Sequence, residues 1–288
     1  MFIGLCFVEG VITKRSIRDR PPTELVTDSV YWFLSPYFRV LSNLVVALLL
    51  LFVASLTGHT DATKLVQGYG PVARQPFPLI MLEALVLSDL MSYWAHRAMH
   101  RFPLLWRFHS IHHSAKELRW STIGRVHPLN EMLNYCVGLL PCLAIGMPIK
   151  AVLYIVPVMM WWAVAVHSNF KITYGPLSRL FVSPIYHRWH HTHSHEGGNS
   201  NFANVLSLWD HTFGTYYLPK DASPTVFGLD QDVVPESYLG QLLYPFAGDK
   251  PAEAIPVAQV ERADRTERAD ARVPGVLRTP SPSEQRLS

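Results

Sequence analysis

The chain carries little charge for its length. Asp, Glu, Lys and Arg make up 16% of its 288 residues, and the formal net charge is only +3. A typical soluble domain has about 25% charged residues. No cluster of Lys and Arg is present, so the sequence predicts that nucleic acid is not a partner. Hydrophobic residues make up 49%, which favours a membrane protein.

Cysteines and cofactor fingerprints are equally scarce. The three cysteines, Cys6, Cys136 and Cys142, all lie in apolar stretches. They are therefore expected to be buried thiols, in neither disulfides nor metal sites. The sequence has no glycine-rich GxGxxG fingerprint for a flavin or nicotinamide and no CxxC motif for an iron–sulfur cluster. It also has no HPGG motif of the kind found in cytochrome b5-like haem domains.

Four apolar stretches approach the ~20 residues that a membrane helix needs. They are Val40–Gly58, Phe77–Ala95, Met132–Ile149 and Ala151–Phe170. Gly146 and Pro148 interrupt the last two, which predicts a short turn between paired helices. The expected fold is all-α and integral to the membrane, with about four transmembrane helices.

The basic residues predict how these helices are oriented. If both termini lie on the same side, 22 of the 25 Lys and Arg residues fall on that side. The excess predicts that this side is cytoplasmic, and it carries a histidine-rich helical cap. We expect a basic interfacial leader at 1–39, a membrane-embedded domain at 40–247 and a disordered tail at 248–288, where apolar residues become sparse.

Histidine is abundant, with 14 residues, and most of them fall in three clusters. Because positions i, i+3 and i+4 share one helical face, each cluster presents its imidazoles to one side. One metal ion takes four to six ligands, so eight imidazoles suit two metals. The predicted ligands are His96, His100, His109, His112, His113, His187, His190 and His191.

Two further histidines are predicted at the same depth. His127 begins the third apolar stretch and His167 lies near the end of the fourth, so both are candidate ligands. Asp89 lies seven residues before His96 and hence on its face. It either orients an imidazole through a hydrogen bond or pairs with a polar group of another helix. His59 is expected on the opposite side, and His211 is expected to be structural. His193 and His195 are either exposed or support the third cluster.

The chemistry of imidazole leaves several classes of function open. Neutral imidazoles bind iron, copper or zinc, but zinc does not change oxidation state. A redox reaction at these imidazoles would therefore require iron or copper. A zinc-dependent membrane hydrolase and a metal transporter remain alternatives. A b-type cytochrome fits less well, since its histidine pairs would lie deep within facing helices and these lie at helix ends.

The motifs resemble the fatty acid hydroxylase/sterol desaturase superfamily over about residues 80–245. The resemblance is carried by the three clusters, by Arg125-x-His127-Pro128, by Asn201-Phe-x-Asn, and by Trp209-Asp210 followed by Phe213-Gly214-Thr215. It implies an oxygenase with two irons, with the eight cluster histidines as ligands and His127 and His167 as additional ones. It also makes Asn201 and Asp210, like Asp89, candidates for supporting the ligands.

The resemblance further implies a substrate and partners. The expected substrate is a lipid in the bilayer, a sterol, fatty acyl or alkyl chain, which O₂ hydroxylates or desaturates. Cleavage of ether lipids, as in alkylglycerol monooxygenases, is one specific version. Electrons are expected from a separate ferredoxin- or cytochrome b5-like protein. The expected location is a multi-pass position in a membrane, with a bacterial inner membrane favoured over the endoplasmic reticulum.

Overall fold

The computed structural model describes residues 9–11, 21–57, 62–220 and 222–247, and within these ranges it contains helices and no β-strand. The all-α prediction is confirmed there. The described helices are α1 (Pro22–Thr57), α2 (Ala62–Gln67), α3 (Phe77–Arg101), α4 (Pro103–His113), α5 (Pro128–Ala144), α6 (Ile149–His167), α7 (Pro184–His190), α8 (Leu208–Phe213) and α9 (Tyr238–Leu243). Proline stands in the first turn of α3, α4, α5 and α7, where its missing N–H needs no partner.

The long helices α1, α3, α5 and α6 pack side by side. At the end of the bundle that lies farther from the histidine clusters, these helices form an apolar core that includes Ile80, Ala84, Leu143 and Val152. Along α3 the buried residues recur every fourth position, so one stripe runs from this core to the histidines. Gly138 lets α5 approach α3 closely, because an added Cβ would come within 3.2 Å of the Ser92 hydroxyl.

The outer faces of the long helices are apolar and exposed. Phe33, Leu44, Leu82, Leu153 and Trp161 all point away from the bundle. Such a surface is unfavourable in water and typical of contact with lipid. Three helical segments among the described residues are long and apolar enough to cross a membrane: Pro22–Leu49, Phe77–Arg101 and Ile149–His167. The protein is therefore a membrane protein. Helix α5, with 17 residues, is not among the three, and the count of four spans stays a prediction.

The first helix begins at Pro22 instead of Val40. Its first half packs against the 120–125 corner, where Asp28 accepts hydrogen bonds from Arg125 (2.8 Å) and Ser121 (2.9 Å). The Trp32 indole also donates to the Ser121 carbonyl at 2.8 Å. Because this segment packs through polar side chains, a search for apolar runs does not detect it as part of the helix.

The predicted turn between the last two long helices is confirmed. Helix α5 ends at Ala144 and α6 begins at Ile149. Gly146 has φ +94°, and its carbonyl accepts from the Tyr69 N–H at 2.9 Å. A side chain at Gly146 would collide with the Tyr69 carbonyl. Glycine is required here for both reasons.

The two described cysteines are free thiols, as predicted. Cys142 is buried in the apolar core, 3.3 Å from the Ser88 hydroxyl, and Cys136 is half-buried. Cys6, His59 and the tail 248–288 lie outside the described residues, and the predictions made for them stay predictions.

Candidate metal centre

Nine buried histidines gather into two adjacent groups at one end of the bundle. Within each group, one ring nitrogen of every member lies within 4.8 Å of the others. The five-histidine group is His96, His100, His109, His113 and His190. The four-histidine group is His112, His167, His187 and His191. All eight cluster histidines and His167 are thus brought together.

Helices α4 and α7 each supply both groups. In α4, His109 and His113 are four residues apart and point into the five-histidine group, whereas His112 points into the other. Helix α7 and the residue after it reverse the pattern: His187 and His191 share the four-histidine group, and His190 joins the other. The HxxHH spacing therefore divides each cluster between two sites.

The two groups share a wall. The rings of His113 and His191, one from each group, stack with centroids 4.4 Å apart and planes at 22°. Helices α3 and α6 complete the groups by ending there, with His96 and His100 in the last turns of α3 and His167 at the end of α6. Two metal ions held here would be close neighbours.

Hydrogen bonds at Nδ1 fix the tautomer of several imidazoles. His96 contacts the Phe202 carbonyl at 2.8 Å and His190 contacts the Ser200 carbonyl at 2.7 Å. A carbonyl oxygen only accepts, so each Nδ1 carries the proton. The Nε2 atom of each ring is left with a lone pair, which is the form that binds a metal.

Two asparagine side chains contact the Nδ1 atoms of two other members of the five-histidine group. His100 Nδ1 lies 3.2 Å from the Asn199 side-chain oxygen, and His109 Nδ1 lies 3.0 Å from that of Asn130. The Nε2 atoms of all five members are buried and have no hydrogen-bond partner. Buried polar atoms without partners are rare because each one costs free energy. Five such atoms at one point fit a cation that they share.

The Nε2 atoms of the four-histidine group also indicate a bound cation, and they do so more directly. His112 and His167 direct Nδ1 at the carbonyls of Arg125 (3.3 Å) and Ala163 (2.7 Å). Their Nε2 atoms are therefore both bare, yet they lie 3.1 Å apart. Two facing lone pairs repel unless a cation lies between them.

The spacing of the four nitrogens also suits a metal. His187 Nε2 lies 3.1 Å from that of His167 and 3.2 Å from that of His191. Nitrogens about 2.1 Å from one ion lie about 3.0 Å apart at right angles and about 3.4 Å apart at the tetrahedral angle. The observed distances fall within this range.

The environment keeps these imidazoles neutral. Burial lowers the pKa of His113, His190 and His191 well below 6.5, and the neighbouring imidazoles lower it further. The pKa values of His109, His112 and His187 are lowered for the same reasons. A neutral ring is the ligand form of histidine, so both groups are ready to bind a metal at neutral pH.

The loop from Asn199 to Leu206 supplies three of the Nδ1 partners and is itself held by Asp210. The Asp210 carboxylate accepts from the N–H groups of Phe202 (2.8 Å) and Ala203 (2.9 Å) and from the Thr215 hydroxyl (2.7 Å). Burial raises the pKa of Asp210 to about 6, although these hydrogen bonds favour its charged form. Asp210 thus supports the imidazoles through the loop.

Asn201 supports the same loop. Its backbone has φ +59°, its side-chain oxygen accepts from the Tyr217 N–H at 2.7 Å, and its amide donates to the Tyr186 carbonyl at 2.9 Å. Asparagine tolerates this left-handed conformation better than most residues. Asn201 therefore fixes the turn that brings the Ser200 and Phe202 carbonyls to the imidazoles.

The hydrogen bonds of Asp89 go to the loop instead of to an imidazole. Its carboxylate accepts from the N–H groups of Val205 (3.0 Å) and Leu206 (2.8 Å) and from the Trp209 indole (3.0 Å). Seven residues along a helix are about 10 Å, which puts His96 too far away. Of the two predicted roles, pairing with polar groups of another segment is the one that the structure shows.

His127 lies outside both groups. Its Nδ1 accepts from the Leu129 N–H at 3.1 Å and thereby caps α5, and its Nε2 contacts the Leu242 carbonyl at 3.2 Å. Both ring nitrogens are used, so the structure corrects the expectation of His127 as a ligand. His-Pro at a helix start has a structural role here.

Other residues complete the picture. The sequence did not reveal Asn130 and Asn199; the only signal was that they lie two residues from the motifs His127-Pro128 and Asn201-Phe-x-Asn. His193 and His195 lie at the surface, each within 4 Å of Asp230. His211 stacks on Tyr216 with ring centroids 3.8 Å apart.

A cavity of about 220 Å³ adjoins the four-histidine group. Its walls come from α1, α3, α5, α6 and the 123–126 corner, and we refer to it as the inter-helix cavity. Ala163 lines it and also accepts the hydrogen bond from His167. Met159 and Met160 of α6 lie in its wall.

Comparison with known proteins is consistent with a metal centre at these histidines. Residues 81–215 match the fatty acid hydroxylase family model. The chain is similar to ornithine lipid hydroxylase OlsE of Rhizobium tropici, with 33% identity over 62% of this chain and 56% of that protein. It is also similar to alkylglycerol monooxygenase of Caenorhabditis elegans, with 27% identity over 59% of this chain and 32% of that protein.

A more distant similarity is to very-long-chain aldehyde decarbonylase GL1-7 of Oryza sativa subsp. japonica, with 29% identity over 44% of this chain and 21% of that protein. The matches thus cover between one fifth and just over half of these relatives. No solved structure matches the chain. The resemblance of this chain to the fatty acid hydroxylase/sterol desaturase superfamily, drawn from the motifs, is confirmed by these matches.

Proposed function

We propose that the protein is a membrane-bound, iron-dependent oxygenase that hydroxylates a lipid with O₂. The observation that carries the proposal is the pair of groups of buried imidazoles with bare Nε2 atoms. Five nitrogens in one group and four in the other fit one metal ion each. Two iron ions bound there would supply the redox chemistry that activates O₂, which zinc cannot supply.

The residues of the chain would position the metals and keep them away from water. All nine imidazoles are buried, so solvent would not compete for the metals. The inter-helix cavity lies among apolar helices and reaches Ala163, beside His167. A lipid chain that enters between the helices would arrive next to the metals without crossing water.

The names of the relatives favour hydroxylation over desaturation. One is an ornithine lipid hydroxylase and another an alkylglycerol monooxygenase, and both names describe oxygen insertion into a lipid. Hydroxylation beside an ether oxygen is the second candidate, which the alkylglycerol monooxygenases support. Both reactions use the same metals and cavity, and they differ in the lipid.

We further propose a separate electron-donor protein and a cytoplasmic location for the histidine end. The excess of Lys and Arg in segments 1–40, 95–130 and 171–288 supports that side. An acidic donor would dock on basic residues near the histidine end, but some of these arginines are used inside the fold. Arg119 is buried and bound to Glu117 at 2.8 Å, and Arg97 donates to Tyr93 at 3.0 Å. Arg101, which is exposed, is the better candidate for contact with the donor.

The test uses the purified full chain in lipid nanodiscs. Metal analysis should find two irons per chain and no haem absorption. Reduced ferredoxin, ferredoxin reductase and ¹⁸O₂ are then supplied with a panel of membrane lipids, and label should enter one lipid class by mass spectrometry. His187→Ala should abolish labelling and His211→Asn should leave it intact. Label in soluble acids alone, or full activity with zinc as the sole metal, would overturn the proposal.

A further inference from the structure

The inter-helix cavity holds two opposite charges that the proposed chemistry does not use. Arg39 of α1 and Glu131 of α5 both line it, and the Arg39 Nε donates to the Glu131 carboxylate at 2.8 Å. Their side chains are 29% and 15% exposed, so both remain accessible. Most other contacts in the wall are apolar or neutral. The pair is the charged feature of an otherwise uncharged chamber.

Charges at this depth need a reason. Removing an ion pair from water costs about as much as the attraction returns, so apolar packing would join two helices equally well. The pair is also only singly bonded. Arg39 has five N–H donors, and its other contact is with the Met160 sulfur at 3.5 Å, a weak acceptor. Glu131 uses only one carboxylate oxygen for Arg39. Each partner retains hydrogen-bonding capacity.

The pair lies close to the residues that hold the metal ligands. Glu131 is next in sequence to Asn130, whose side chain accepts from His109 of the five-histidine group. On the facing helix, Ala163 lines the same cavity and accepts from His167 of the four-histidine group. A molecule bound at Arg39 and Glu131 therefore lies in the same cavity as Ala163, whose carbonyl holds His167 of the four-histidine group.

We propose that this pair selects a lipid whose polar part is zwitterionic, with its anionic group at Arg39 and its cationic group at Glu131. The inference rests on the proposed function and names the substrate class. The pair has no net charge, and neither has a zwitterion. When a zwitterion binds, each of its two charged groups therefore has an oppositely charged partner in the cavity. A free fatty acid would bring one unbalanced negative charge into a chamber of low dielectric, which is unfavourable. A cationic amphiphile would bring the opposite imbalance.

The experiment measures binding by the metal-loaded full chain in nanodiscs. Three amphiphiles of equal chain length compete with a fluorescent lysolipid: lysophosphatidylcholine, a fatty acid anion and an alkyltrimethylammonium cation. The wild-type protein should bind the zwitterion about tenfold more tightly than either ion, the effect of about one unbalanced interaction. Glu131→Gln should shift preference to the anion, and Arg39→Gln should shift it to the cation.

Matched controls keep the outcome interpretable. Arg179 and Glu236 are exposed and lie outside the cavity, so Arg179→Gln and Glu236→Gln should bind like wild type. The exchanged pair, Arg39→Glu with Glu131→Arg, should keep the preference for the zwitterion. Loss of all preference in Arg39→Gln with Glu131→Gln would agree with the inference. Equal preferences in wild type and both single variants would overturn it.

The inference and the proposed function fail separately. If the preferences invert as described and no ¹⁸O enters any lipid in the same samples, the cavity binds zwitterions and the oxygenase proposal is wrong. If ¹⁸O enters a lipid and the single variants keep the wild-type preferences, the oxygenase proposal stands and the charge pair does not select the substrate.

Discussion

The two histidine groups look alike in burial and differ in what holds their imidazoles. In the five-histidine group the Nδ1 partners of His96 and His190 are carbonyls of one loop, which is about 100 residues after α3. In the four-histidine group, His167 is held by the Ala163 carbonyl of its own helix, and His112 by the carbonyl of Arg125. The five-histidine group thus depends mainly on this loop, whereas the four-histidine group depends on the last turn of α6 and on the 120–125 corner.

Each arrangement has its own buried carboxylates. Asp89 and Asp210 hold the loop by accepting backbone N–H groups. Asp28 holds the 120–125 corner by pairing with the Arg125 guanidinium, both side chains being buried. Outside the ligands themselves, the two metal sites should therefore respond to different mutations. A change that weakens both equally would show that the groups behave as one unit.

The largest expected effect is loss of a ligand, and it should depend on the group. His187→Ala leaves three imidazoles in the four-histidine group, whereas His100→Ala leaves four in the other. On the two-iron proposal, His187→Ala should lower the metal content to about one ion per chain, since a stable site generally needs about four ligands. His100→Ala should retain more metal. Metal analysis after dialysis against a chelator measures both.

His211→Asn is the control for the ligand variants, because His211 stacks on Tyr216 away from both groups. It should retain the wild-type metal content. Equal metal loss in His100→Ala and His187→Ala would contradict the division into five and four.

The carboxylates should give the next largest effect. Asp210→Asn replaces one acceptor of the loop with a donor and should weaken metal binding by the five-histidine group about 10- to 100-fold, as expected for residues behind the ligands. Asp28→Asn should weaken the four-histidine group to a similar degree through Arg125. Stepwise chelator titration, followed by metal analysis, separates the tighter ion from the weaker one. Loss of the same ion in both variants would contradict the comparison.

The candidate ligands were easier to predict from the sequence than the residues that hydrogen-bond to them. Helical spacing and shared depth predicted that the eight cluster histidines and His167 would lie together, and the structure brings all nine into two groups. The same reasoning failed at His127, because capping α5 uses the nitrogen that a metal would need. Spacing also did not show that each HxxHH cluster divides between two groups. That division is visible only in the structure, where positions i and i+4 of each cluster share one group and position i+3 joins the other.

The supports were hard to predict for a physical reason. Asn199 and Asn130 meet the imidazoles across 99 and 21 residues of chain, and no local pattern encodes such contacts. The early start of α1 was missed because the first half of this helix packs on the protein through polar contacts such as that of Asp28 with Ser121. Apolar patterns predict the elements that face lipid, and they do not reveal helices that pack through polar side chains.

The pH response should be the same for both groups. In the unfolded chain histidines protonate near pH 6.5, whereas burial keeps His190 and His191 neutral well below that value in the fold. The unfolded state therefore binds more protons as the pH falls below 6.5, so stability is lost in that direction. Each neutral histidine contributes about 1.4 kcal/mol per pH unit, and metal binding acts in the same direction.

Thermal unfolding between pH 7.5 and 5.5 measures this response. His190→Gln and His191→Gln should each reduce the change in unfolding free energy with pH by about the contribution of one histidine, about 1.4 kcal/mol per pH unit. A slope that only one of them changes would show that the groups differ in protonation as well as in support. A stability that rises on acidification would contradict the assignment of neutral rings.

The smallest expected effect concerns the two asparagines of the five-histidine group. Asn130 accepts from His109 at 3.0 Å and Asn199 accepts from His100 at 3.2 Å. A neutral hydrogen bond contributes about 0.5–1.5 kcal/mol, so Asn130→Ala and Asn199→Ala should each weaken metal binding about three- to tenfold in that group alone. Asn134→Ala, one turn further along α5 and facing the cavity, is the matched control and should bind metal as wild type does. Chelator competition measures all three. An effect as large as that of His100→Ala would mean that the asparagine binds the metal itself, and equal weakening of both ions would mean that the two groups share one support.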